Sequence, residues 1–156
     1  MRRIALYAAG VVLASVLALS YAATSRAKAR GLVAHTCSVT DRAFIETAKT
    51  NMAAIGLWGQ EYLDGDARPE EVAAEADRAA KIVGATAPTD PSLDQTRKLI
   101  VGMFAEYRRA MRAQANHRDA GRHMFHAYAL ANFAHDVLAG AESPLARRGC
   151  DVAPLL

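Results

Sequence analysis

Residues 84–111 read GATAPTDPSLDQTRKLIVGMFAEYRRAM, and their reading decides the fold. Gly84 to Pro91 is a dense run of helix breakers, because Gly is entropically costly in a helix and Pro lacks the N–H a helix needs. Asp90 followed by Pro91 then marks a helix start: the Asp side chain can accept a bond from free first-turn N–H groups, and Pro fits the first helical position. From there Leu93, Ile100, Met103, Phe104, Tyr107 and Met111 recur at three, four and seven residues, with charge on the other side. That is the period of an amphipathic helix, with one apolar stripe and one wet face.

The same signals divide the flanking sequence. Asp64-Gly65-Asp66-Ala67-Arg68-Pro69 closes one pattern, Gly84 to Pro91 a second, and Gly140 to Pro144 the last. The first helix is expected from Thr40, as N-cap, to Leu63, with Phe44, Ile45, Ala48, Met52, Ile55, Gly59, Tyr62 and Leu63 on its stripe. The second opens at Pro69 with Glu70 and Glu71 against its positive dipole end and presents Val72, Ala76, Ala79 and Val83. The fourth is expected over Arg118 to Ala139, with Met124, Ala127, Tyr128, Ala131, Ala134 and Leu138 joined by Leu130, Phe133 and Val137 on a second strip. It is the most apolar of the four and is expected to be the most buried. Only Asn116 and Gly121 interrupt the pattern between the third and fourth, so a single continuous rod is the competing reading there. No segment alternates with a period of two, and four helices with short connections predict an all-α, antiparallel up-down-up-down four-helix bundle.

Ahead of this domain, Ile4 to Ala23 is an almost unbroken apolar run, IALYAAGVVLASVLALSYAA. At about 1.5 Å per residue it makes about 30 Å of helix, the thickness of a bilayer core. A cleaved signal also begins with positive charge and ends in small residues such as Ser20-Tyr21-Ala22. The length of this run, with Arg26, Lys28 and Arg30 after it, favours an uncleaved anchor. Two parts are therefore expected: residues 1–30 as a transmembrane anchor with basic flanks, and residues 31–156 as a helical bundle. The anchor's Ala8, Ala9, Gly10, Ala14 and Ser15 are small enough for helix pairing, though the pattern is unspecific.

Arg2 and Arg3 on one side nearly balance the three cations on the other, so charge alone leaves the orientation open. The cysteines favour one side. Cys37 and Cys150 are the two in the chain and bracket the downstream region with no C-x-x-C, which reads as a disulfide and places the domain outside the cytosol, in a periplasm or cell-wall zone. In the expected topology the start of helix one and the end of helix four share one end of the bundle, which is where this pair falls. Heavy use of Ala and Arg hints at a GC-rich bacterial genome.

The chain carries 19 Lys and Arg against 16 Asp and Glu, yet five of the cations lie at or before Arg30 and every anion lies after it. The domain therefore holds 14 cations and 16 anions, a net −2, and loses the basic surface that nucleic-acid binding relies on. No partner of that class is expected. Enzyme signatures are equally missing: no G-x-S-x-G and no phosphate-cradling glycine loop, so a non-catalytic chain without a cofactor is expected.

Two constellations stand out. Arg108, Arg109, Arg112, Arg118, Arg122, His117 and His123 surround the turn between helices three and four, opposed by Asp64, Asp66, Glu70, Glu71, Glu75 and Asp77 around the first turn. They read either as a solvated, self-neutralising tip or as a docking surface for a charged partner, an envelope protein or a second copy. His123 and His126, three apart on the fourth helix, have the spacing of a metal-ligating pair, which makes a metal- or haem-binding bundle the alternative reading. His135 lies on another face. Trp58 and Asn51 border the helix-one stripe, Trp58 as core cap or interface anchor, while Gly56 and Gly59 suggest close approach by helix two or a second subunit.

Overall fold

The computed structural model describes residues 36–156. They form four α-helices and no strand: α1 (Val39–Asp64), α2 (Pro69–Ala85), α3 (Pro91–Ala115) and α4 (Gly121–Arg147), with a closing 3-10 turn at Ala153–Leu155. The apolar run at 4–23, its basic flanks and the choice between anchor and signal lie outside the described residues. No described helix is long and apolar enough to cross a membrane.

α3 is the centre of the molecule because its stripe is the richest in large side chains. Leu93, Ile100, Phe104 and Met111 are sealed from solvent, and α2 and α4 pack along its two sides. On α2 the expected stripe of Val72, Ala76, Ala79 and Val83 is fully buried, and its small residues let the helix sit close to its neighbours. α1 rests mainly on α2 through Phe44, Ile45, Ala48 and Ile55 and touches α3 more lightly. Between α1 and α4 no comparable packing exists among the described residues, so that edge of the helix group is open.

Asp90 caps α3 through its carboxylate, which accepts the Ser92 and Leu93 N–H groups at 2.8 and 3.2 Å. α1 starts two residues earlier than the sequence suggests: Ser38, not Thr40, is the N-cap, its hydroxyl accepting the Asp41 N–H at 3.0 Å. The reason lies outside the helix. The Cys37 N–H donates to the Arg148 carbonyl at 2.6 Å, which fixes the chain immediately before Ser38. Gly65 ends α1 in the left-handed conformation at φ 87°, as its place in the first breaker run implies.

α3 and α4 are separate helices, not one rod. The break is made by His117, whose φ of 53° is left-handed, while the Arg118 N–H turns back to the Ala113 carbonyl at 2.8 Å. α4 itself corrects two expectations. It begins at Gly121 rather than Arg118 and runs through Gly140 and Pro144 to Arg147, with Pro144 inside the helix. An interior Pro costs about 3 kcal/mol. Continuing past it buries Ala141 and Leu145 and delivers Cys150 to Cys37, and those tertiary gains override the local stop. Nor is α4 the most buried helix: Phe125, Tyr128 and Phe133 are exposed, because α4 is an edge element with one main neighbour and two apolar strips.

The close neighbour of Gly59 is α3 rather than α2, since a Cβ there would meet the Tyr107 hydroxyl at 3.2 Å. Asn51 is buried and donates its amide to the Thr47 carbonyl at 2.8 Å, and Trp58 is half-buried against the core.

Candidate functional site

The four helices give the molecule two polar ends of different character. At the first, Cys37 and Cys150 are joined, with Cα atoms 5.0 Å apart. Beside them Asp41, nearly sealed from solvent, accepts the Thr89 N–H at 2.7 Å, the Asp90 N–H at 3.0 Å and the Thr89 hydroxyl at 3.0 Å. Burial pushes the Asp41 carboxyl up, but hydrogen bonding by Ser38, Asp90 and Thr89 holds it below its ordinary value. Asp90 also receives the Arg148 guanidinium, and Arg42 donates to the Cys37 carbonyl at 3.0 Å. The start of α1, the α2–α3 turn and the end of α4 are thus tied in one knot. The sequence held a signal for it that the reading of α1 passed over, because Ser38-Val39-Thr40-Asp41 has the S-x-x-D form of a helix start. Cys37, Asp41 and Cys150 also form the one group of metal-capable side chains among the described residues, but both sulfurs are already bonded to each other.

At the other end lie the turns 65–68 and 116–120, and here the charges sort into committed and uncommitted groups. Arg108 reaches across to Asp77 of α2, whose carboxyl Lys81 and Arg108 together hold below its ordinary value. Arg109 pairs with Glu106 one turn earlier on the same helix. Glu71 bonds the Arg68 N–H at 2.8 Å and its guanidinium at 2.9 Å, and Asp64 accepts from Gln60 at 3.0 Å. Arg112, Arg118 and Arg122 make no ion pair among the described residues, nor do Asp66 and Glu70, and all five are exposed. The basic and acidic turns therefore do not neutralise each other directly. At this end, apart from Arg108 with Asp77 and His123 with Glu106, pairing runs within each helix or its cap.

His123 is already engaged: its Nδ1 lies 2.7 Å from the Glu106 carboxylate. Burial pushes Glu106 up, yet His123 and the Arg109 guanidinium hold its carboxyl below the ordinary value. His126 points to solvent beside Phe125, with ring centroids 6.2 Å apart, and no third ligand gathers with the two histidines among the described residues. Tyr107, buried between α3 and α1, has its phenol pushed up to about 12 by burial and by Tyr62. It remains a neutral packing group at any physiological pH.

No family model matches the chain, and neither the curated proteins nor the solved structures include a match to it.

Proposed function

We propose that this chain is a membrane-anchored interaction or accessory module rather than a catalyst, an up-down-up-down helical bundle held outside the cytosol by residues 4–23. The observation that carries the reading is the division of labour between the two ends. The end joined to the N-terminal segment is closed by Cys37–Cys150 and the Asp41 knot, while the opposite end keeps Arg112, Arg118 and Arg122 free of ionic partners among the described residues. Exposed arginines held in no ion pair steer an acidic partner and set its orientation more than they add affinity. A disulfide between the two cysteines suits a periplasm or cell-wall zone.

The test is capture from native membranes with the full chain. Arg112→Glu with Arg118→Glu is expected to lower recovery of cross-linked partner about tenfold at low salt, with the difference shrinking as ionic strength rises. Unchanged recovery would remove the tip from the binding surface. Recovery of the chain in the soluble fraction of cells would remove the anchor.

A further inference from the structure

α4 carries two faces. One holds the buried Ala127, Ala134, Leu138, Ala141 and Leu145. The opposite face holds Arg122, Phe125, Ala129, Phe133 and Asp136, which at 3.6 residues per turn fall within about 80° of arc. Phe125 and Phe133 are 68 % and 59 % exposed, the largest aromatic surfaces left uncovered among the described residues. Each is flanked by a charge of opposite sign. Arg122 makes no ion pair among the described residues, and Asp136 has only its neighbour His135, at 3.7 Å.

The order of these five residues is the notable feature. Their spacing is three, four, four and three, and the stripe reads cation, Phe, Ala, Phe, anion. Turned end over end about Ala129, it lays Arg122 on Asp136, Phe125 on Phe133, and Ala129 on itself. A surface that is complementary to its own rotated copy is what a two-fold interface requires. The small Ala at the centre permits close helix approach, and the aromatic pairs supply the apolar contact on either side. A parallel arrangement would set Arg122 against Arg122 and Asp136 against Asp136.

We propose that α4 is the homodimerisation surface of this protein, pairing antiparallel with α4 of a second copy about a two-fold axis through Ala129. The surface shares Arg122 with the charged tip but leaves Arg112 and Arg118 to the tip's partner, and it does not depend on that partner. Because the pairing is antiparallel, about an axis that crosses α4 a third of the way along, the two disulfide ends point in opposite directions. With both anchors in one bilayer, the paired bundles lie along the membrane and their tips face sideways.

The test is disulfide trapping of the full chain in the cells that make it. Both native cysteines are joined to each other, so Ala129→Cys introduces a single free thiol. Mild oxidation is expected to trap most of the chain as a dimer, whereas Leu57→Cys on the outer face of α1 traps little. In the Ala129→Cys background, Arg122→Asp or Asp136→Arg alone is expected to lower trapping at least fivefold, and the two together to restore it to within twofold. Those two side chains are about 21 Å apart along one helix, so the rescue reports contact between chains. All these positions are exposed or half-exposed, and an intact Cys37–Cys150 bond on non-reducing gels checks the fold. Trapping at Ala129→Cys no greater than at Leu57→Cys, capture of a different protein instead, or a double variant no better than the singles would each overturn the proposal.

Discussion

Removing the disulfide is expected to lower the stability of the helical domain by about 4.8 kcal/mol in the chain-entropy relation, because Cys37 and Cys150 are 113 residues apart and the bond closes nearly the whole domain into one loop. The perturbation is Cys37→Ala with Cys150→Ala in a chain beginning at residue 31; both side chains are buried, so alanine keeps an apolar side chain at each site. At about 2 kcal/mol per molar urea, the midpoint should fall by about 2.4 M, and the slope should rise because the unlinked unfolded chain is less compact. Urea titration followed by helical circular dichroism reads both quantities. The open α1–α4 edge adds a second readout. Without the bond, α1 is held by α2, by the Cys37 to Arg148 backbone bond and by the Asp41 knot, so its first two turns should exchange amide hydrogens faster relative to α3. A midpoint shift below about 0.5 M, with α1 protection unchanged, would refute the idea that loop closure is the main term.

Three other outcomes follow from the geometry. Asp41→Ala leaves two N–H groups and the Thr89 hydroxyl without their acceptor and should cost about 3 kcal/mol, whereas Asp41→Asn keeps one oxygen for both N–H groups and should cost about 1 kcal/mol. Since the folded carboxyl titrates below its unfolded value of 3.8, its contribution is present above that pH and disappears as pH falls through the folded value; Asp41→Asn should flatten that acid limb in urea titrations at stepped pH. Gly140→Ala, where a Cβ meets nothing within 4 Å, should gain about 0.5–1 kcal/mol in thermal unfolding, while Gly59→Ala should gain nothing because the Tyr107 hydroxyl must give way. Leu145→Ala should cost about 2–5 kcal/mol in the same assay; a loss under about 1 kcal/mol would mean that burial beyond Pro144 does not hold the end of α4 in place.

What could be read from sequence was whatever local chemistry decides. The caps at Asp90 and the starts at Pro69 and Pro91 follow from which backbone groups lack partners, and the stripes of α2 and α3 follow from helical period; all of these match the structure. The cysteine pair was legible because topology and spacing pointed the same way. What was missed depended on neighbours. Periodicity says that α4 has two apolar strips but not that only one has a helix to cover it, so Phe133 reads as core and stands in solvent. Pro144 reads as a stop because the sequence does not show Leu145 and Cys150 being pulled into place beyond it. Arg108 and Arg109 read like Arg112, and only the placement of Asp77 across the α2–α3 contact and of Glu106 one turn away separates them.

The joined ends make the described domain a covalent ring. Any single backbone cut between residues 37 and 150 leaves two pieces still linked through sulfur, so a protease that nicks either tip turn opens a strand of the ring without releasing a fragment. A nicked molecule would migrate as one species until reduced, and its core on α3 would remain assembled. The same closure makes the tip turns natural places for new termini: with the old ends joined by a short linker, a permuted chain starting between α1 and α2, or between α3 and α4, retains every helix and every buried contact of the original.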